Sequence, residues 1–180
     1  MHNYNIVIDF WFKELTNKDW FIKNKLLDQQ ITQRFSGLLD RAVSCELFSW
    51  RSTALGRLAE ILLIDQFSRN IYRNTPRAFR NDSLALALAQ EAIAIQDDIK
   101  LTKIERSFLY MPFMHSESKL VHEQAVILFK SLNQPNNYDY ELKHKAIIDR
   151  FGRYPHRNDI LKRQSTDEEV LFLQTEGSSF

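Results

Sequence analysis

Apolar residues in this chain recur at intervals of three and four, and almost nowhere at two. That period belongs to amphipathic helices and leaves no material for a sheet. Leu, Ala, Lys, Gln and Glu dominate, β-branched alternation is scarce, and four glycines and four prolines are spread over 180 residues. Flexible linkers and glycine-rich phosphate loops are therefore not expected. The spacing predicts helices near 5–14, 25–44, 53–72, 76–80, 82–96, 102–115, 117–132, 139–152, 156–163 and 166–174. Several starts have a mechanism. Thr75-Pro76 is an N-cap followed by a proline whose missing N–H costs nothing in the first turn. Thr102-x-x-Glu105 and Thr166-x-x-Glu169 have capping-box spacing, and Asn81 or Asp82 can cap the helix that follows. Pro112 should kink or end its helix, Gly152 should close another in the left-handed conformation, and 133–137 (NQPNN) is a loop by composition.

The chain is long enough for a core without disulfides or metals. One all-α domain over 1–180 is expected, with a possible N-terminal helical subdomain, 1–80, packed on a hairpin array, 81–180. The pairs 82–96/102–115 and 117–132/139–152 start roughly 35 residues apart, close to the period of tetratricopeptide hairpins. The expected architecture is thus stacked antiparallel helical hairpins in a right-handed, tetratricopeptide-like array, with an irregular bundle as the alternative.

Lys+Arg 24 against Asp+Glu 23 gives a net charge of +1, which offers no bulk attraction for nucleic acid or an anionic membrane. The apolar runs, such as 84–89, are far short of the ~20 residues needed to span a bilayer. The segment 1–12 lacks the features of an export signal, so a cytoplasmic setting is expected. The single cysteine, Cys45, excludes an intrachain disulfide; it is expected to be a small buried apolar residue.

The informative residues are polar ones on apolar helical faces. In 53–72 the stripe Ala54, Leu58, Ile61, Leu62 runs on into Asp65 and Arg69, an i,i+4 carboxylate–guanidinium pair expected to be buried. Gln66 and Asn70 form a second i,i+4 pair beside it. His115 extends the face of Ile104, Phe108 and Met111, with Glu117 two residues beyond. His144 lies within the stripe Tyr140, Ile147, Ile148, Phe151. The turn that follows, 150–158 (RFGRYPHRN), gathers Arg150, Arg153, His156, Arg157 and Asn158. A histidine on an apolar face is more often a satisfied core residue than a ligand, and a single buried structural network would explain all these residues together. The aromatics Phe10, Trp11, Phe12, Trp20 and Phe21 read as core.

Catalytic motifs are absent: there is no G-x-S-x-G elbow, P-loop or dinucleotide fingerprint. His122-Glu123 begins like a zinc-protease helix, but Val126 occupies the second histidine position. His115, Glu117 and His144 or His156 include metal-ligand types, yet the spacing is nonspecific. No metal and no cofactor is assigned.

Six segments, 9–12 (DFWF), 20–21 (WF), 63–70 (LIDQFSRN), 75–79 (TPRAF), 108–117 (FLYMPFMHSE) and 150–158, together resemble the bacterial family called domain of unknown function 924, over nearly the whole chain. The resemblance implies an all-helical, tetratricopeptide-like fold and no established activity. It marks Asp65, Gln66, Arg69, Asn70, His115, Glu117, Arg153, Pro155, His156, Arg157 and Asn158 as motif positions. The chain departs from the family at Ser68, where proline is usual, at Tyr154, where phenylalanine is common, and loosely at its end, 177–180.

Three functions follow as expectations. The first is a cytoplasmic helical binding protein whose pocket holds a small anionic ligand or the acidic end of a peptide. Arg69, Arg153 and Arg157 would be the donors, Asn70 and Asn158 would orient the ligand, and His115 and His156 would be titratable donors. Asp65, Gln66 and His144 would support the pocket. The second is a hydrolase or transferase with His115 or His156 as general base and Glu117 orienting it. The third is a protein–protein scaffold in which the polar residues are purely structural.

Overall fold

The computed structural model describes residues 3–178; the last two residues of the loosely matching end lie outside them. Its regular structure is entirely helical among the described residues. The helices are α1 (Asn5–Asp9), α2 (Lys25–Val43), α3 (Ala54–Leu62), α4 (Ser68–Ile71), α5 (Asp82–Ala94), α6 (Lys103–Met114), α7 (Lys119–Ser131), α8 (Pro135–Phe151) and α9 (Asp167–Leu173). Two π-helical turns extend them: Phe10–Glu14 continues α1, and Leu63–Phe67 joins α3 to α4 as the expected helix 53–72. None of these helices is long and apolar enough to cross a membrane.

The chain divides into two compact units, Met1–Arg73 with Arg77–Pro112, and Asn74–Pro76 with Phe113–Phe180. This boundary lies at Pro112, away from residue 80. In the first unit α2 packs on α4 and the π turn Leu63–Phe67, while α3 packs on α1 and α5. Phe10, Phe35 and Phe67 form its aromatic centre, with centroids 4.9 Å apart for Phe10–Phe35 and Phe35–Phe67. Trp11 joins through Phe67 and Phe108. Phe12 and Trp20 are half-buried, but Phe21, expected in the core, is 71% exposed. Gly56 sits where a Cβ would overlap the carbonyl oxygen of Trp50, so only glycine allows this approach.

In the second unit α7 packs on α8, and α9 packs on the turn Pro155–Arg157. Ile147, Ile148 and Tyr154 form a buried cluster, flanked by Phe151 and Phe172.

The caps at Thr102 and Thr166 form as expected, and Gly152 closes α8 at φ 68°. Other local expectations are corrected. Asn81 precedes α5 but its side chain caps nothing. Helix α6, in contrast, runs through Pro112 and ends at Met114, inside the segment where the proline is expected to kink or end it. Helix α8 begins at Pro135 inside the expected loop, because proline is well suited to the first helical position. The expected helix 156–163 is a single 3-10 turn at Pro155–Arg157 followed by turns. Ile104 and Tyr140, expected to face inward, are exposed. Cys45 is also exposed and adopts φ 58°. It occupies the left-handed position of a Schellman end to α2, with Glu46 N–H bonded to Arg41 O and Cys45 N–H to Ala42 O.

Candidate functional site

The polar residues picked out by the sequence fall into two groups, each inside one unit. In the first, Asp65 lies fully buried on the π turn. Arg69 follows at i,i+4 and its guanidinium is 3.3 Å from Asp65 Oδ1, so the expected pair forms. Its closer carboxylate is Asp82, at 2.9 Å, and Nη1 also donates to the Asp65 carbonyl at 2.6 Å. Gln66 and Asn70 do not pair with one another. Gln66 donates to Asp65 Oδ2 at 2.6 Å, and Asn70 donates to Asp28 on α2. Arg73 grips both oxygens of Asp28 at 2.6 and 2.7 Å. Burial pushes the Asp28 carboxyl up, but the bonds from Arg73 and Asn70 prevail and hold it below its usual range. Arg69 and Asn70, expected as ligand donors, are therefore engaged inside this unit.

The second group is built around Tyr154, which Pro155 and the end of α8 hold in the interior. Its hydroxyl donates to the Met114 carbonyl at 2.5 Å. The rings of His144 and His156 lie 5.7 and 5.5 Å from its ring, and the Arg157 guanidinium lies 4.5 Å over its face. Its backbone N–H donates to Glu117 Oε1 at 2.8 Å. The segment 114–117 and the turn 153–158 are thus brought together, although some forty residues separate them in sequence.

Glu117 is held by an arginine of the following segment. Arg163 takes both of its oxygens, at 2.6 and 2.9 Å, and donates a third bond to the Tyr154 carbonyl. Burial raises the Glu117 carboxyl, but the Arg163 bonds, the Tyr154 N–H and the charges of Arg163 and Arg157 bring it below its usual range. Arg153, expected to bind a ligand, is also committed. Its Nε and Nη2 bind Glu169 at 2.6 and 2.7 Å, and Nη2 reaches the Gln164 carbonyl. Those bonds pull the Glu169 carboxyl down to about 2. Asn158 is buried, donates to Ser165 and Glu169, and accepts from Arg163. His115 and His156 are half-buried.

His144 is 7% exposed, with Nδ1 2.7 Å from the Tyr140 carbonyl. Burial lowers its pKa to about 3, with a smaller push from His115, His122 and His156, so it is neutral at physiological pH. The Tyr140 carbonyl needs a donor, which places the hydrogen on Nδ1.

Sequence reasoning missed His122, Glu141, Arg163 and Glu169. His122 and Glu141 are both fully buried, with Nδ1 2.7 Å from Oε1. His122 Nε2 faces the Ser116 carbonyl at 2.9 Å and the Tyr154 oxygen at 3.2 Å. Tyr154 gives its proton to Met114, so Nε2 must carry hydrogen, and one further proton is shared between Nδ1 and Oε1. Burial pushes the Glu141 carboxyl up, and its Oε2 is buried without a partner. Only the half-match of His122-Glu123 to a zinc motif pointed here, and to the wrong chemistry. No group of three or more His, Cys, Asp or Glu among the described residues is arranged to hold a metal ion.

The fold and this group define a helical protein whose polar interior is tied together by ion pairs. The chain belongs to the family described as bacterial protein of unknown function (DUF924), whose model matches residues 7–177. It is similar to the structure of the protein of unknown function ATU0120 from Agrobacterium tumefaciens. The two share 36% sequence identity over 95% of this chain and 96% of that one, with a TM-score of 0.91. No curated protein matches the sequence.

Proposed function

We propose that this protein is a cytoplasmic, tetratricopeptide-like binding protein. The ion pairs around Tyr154 form the frame of its site. The observation that supports this reading is the occupation of Glu117: two bonds from Arg163 and one from the Tyr154 N–H use both of its oxygens. Glu117, which the hydrolase reading assigned to orient His115 or His156, is instead bonded by Arg163 and by the Tyr154 backbone. A binding site needs only fixed donors, and the same bonds fix them. The half-buried His115 and His156 are offered to a small anionic ligand or an acidic peptide end, with the positive charge of the buried Arg157, over the Tyr154 ring, beside His156. Arg153 leaves that set and becomes a support, because Glu169 holds it.

Calorimetric titration with phosphate, carboxylates, nucleotides and an acidic peptide tests the reading. Arg157→Ala and His156→Ala should each weaken binding about tenfold, equivalent to ~1.4 kcal/mol. Arg153→Ala should lower stability and leave affinity nearly unchanged. Affinity indifferent to both Arg157→Ala and His156→Ala would remove this face as the site.

A further inference from the structure

A recess of about 360 Å3 opens in the first unit between the end of α2 and the segment leading into α5, lined among others by Asp40, Ser44, Tyr72, Arg77, Arg80 and Asn81. It shares no residue with the face around Tyr154. We propose that this recess is a second binding site, for the oxyanion group of a small molecule, a phosphate or a carboxylate.

The argument rests on unused donors. Elsewhere in the first unit guanidinium groups meet a carboxylate or a carbonyl: Arg34, Arg41, Arg51, Arg57, Arg69 and Arg73 each have a carboxylate within 3.3 Å, and Arg106 donates to the Asp98 carbonyl at 3.0 Å. The two arginines of the recess break that rule. Arg80 makes no side-chain hydrogen bond or ion pair among the described residues, although Asp40 lines the same space. Arg77 has its Cζ 3.8 Å from the centre of the Tyr72 ring and donates one bond to the Tyr72 hydroxyl at 2.7 Å. These two contacts hold the guanidinium and leave most of its five N–H donors for a ligand. The Asn81 side chain caps nothing, and the Ser44 hydroxyl has no partner among the described residues. Two guanidinium groups, an amide and a hydroxyl thus border one cavity, against the single carboxylate of Asp40. Arginine forks suit planar or tetrahedral oxyanions.

The volume lies at the small end of ligand cavities and suits a compact molecule. The Asp40 carboxylate, also without a partner among the described residues, sits on the same wall and suits a hydroxyl or ammonium on the rest of the ligand. The ligand class is therefore a small hydroxylated phosphate or an amino acid.

Side-chain NMR of the arginine Nε–H and Asn81 amide signals, during titration with inorganic phosphate, glycerol phosphate or glutamate, tests the site. The expected result is saturable shifts at Arg77, Arg80 and Asn81, with affinity at least tenfold weaker in Arg80→Ala and in Arg77→Ala. Both variants should keep the parent melting temperature, because neither strands a carboxylate. A stronger response to glycerol phosphate marks a phosphorylated ligand, and one to glutamate marks an amino acid; either supports the site. No saturable shift at Arg77, Arg80 and Asn81 with any of the three probes overturns it. Binding that survives in Arg80→Ala and Arg77→Ala but disappears in Arg157→Ala also overturns it, and leaves the Tyr154 face standing.

Discussion

The polar group around Asp65 and the one around Tyr154 solve the same problem in different ways. In the first, four of the participants, Asp65, Gln66, Arg69 and Asn70, come from six consecutive residues of one helix, and distant carboxylates at Asp28 and Asp82 complete the pairing. In the second, hardly any partner is local: Glu117 meets Arg163, His122 meets Glu141, and Arg153 meets Glu169. The first group joins a buried helix to neighbouring segments. The second holds a succession of single turns, whose few backbone bonds do not repeat as those of a long helix do. Where repeating backbone bonds are missing, side-chain bonds to carbonyl and N–H groups take their place.

This contrast is most sharply broken by Asp65→Ala. The carboxylate is fully buried, and its loss strands Gln66 and loosens Arg69, so denaturant unfolding should show a loss of about 3–5 kcal/mol. A loss below 1 kcal/mol would mean that Asp82 alone satisfies Arg69 and that the group is not held by its local spacing.

The second group should betray itself through pH. His144 stays neutral in the folded state down to about 3, whereas an unfolded histidine takes up a proton from 6.5 downward. Between those values the unfolded chain binds more protons, so stability falls with falling pH, by up to about 1.4 kcal/mol per pH unit from this one group. Glu169 adds a loss of the same sign only lower, between 4.5 and about 2. In His144→Met the slope between pH 6.5 and 5 should largely disappear; an unchanged slope would move the effect to another residue.

Tyr154→Phe should cost about 0.5–1.5 kcal/mol in thermal or denaturant unfolding, since it removes the bond to the Met114 carbonyl and one acceptor of His122. The smallest effect separates the two kinds of cap. Thr166→Ala should cost about 1 kcal/mol, while Asn81→Ala should stay within about 0.5 kcal/mol, because only Thr166 accepts a backbone N–H.

The helices were legible in the sequence because their period is local, and so were the Thr102 and Thr166 caps and the Gly152 end. The Asp65–Arg69 pair was legible for the same reason. The π turns were not: an extra residue per turn leaves the apolar pattern almost unchanged. The reading of Glu117 and the turn 153–158 picked residues that do come together, through the Tyr154 N–H, but did not name Arg163 as the partner of Glu117. Glu117 lies in the connector between α6 and α7, 46 residues from Arg163, and no spacing rule connects the two. His122 and Glu141 face one another from α7 and α8, and become visible only once those helices pack. Cys45 was misread because exposure at a helix end depends on the left-handed turn, which its sequence neighbours do not announce.

The buried bond between His122 and Glu141 has a further consequence. Its single internal proton can rest on nitrogen or on oxygen, and the net charge of the pair is zero in both cases. Shifting that proton is therefore invisible to a titration, yet it changes the local dipole. A dry interior favours the uncharged arrangement and an interior reached by water favours the ionic one. The nitrogen-15 resonance of His122 Nδ1 is thus a built-in gauge of polarity, reporting how well the packing of α7 on α8 keeps solvent out.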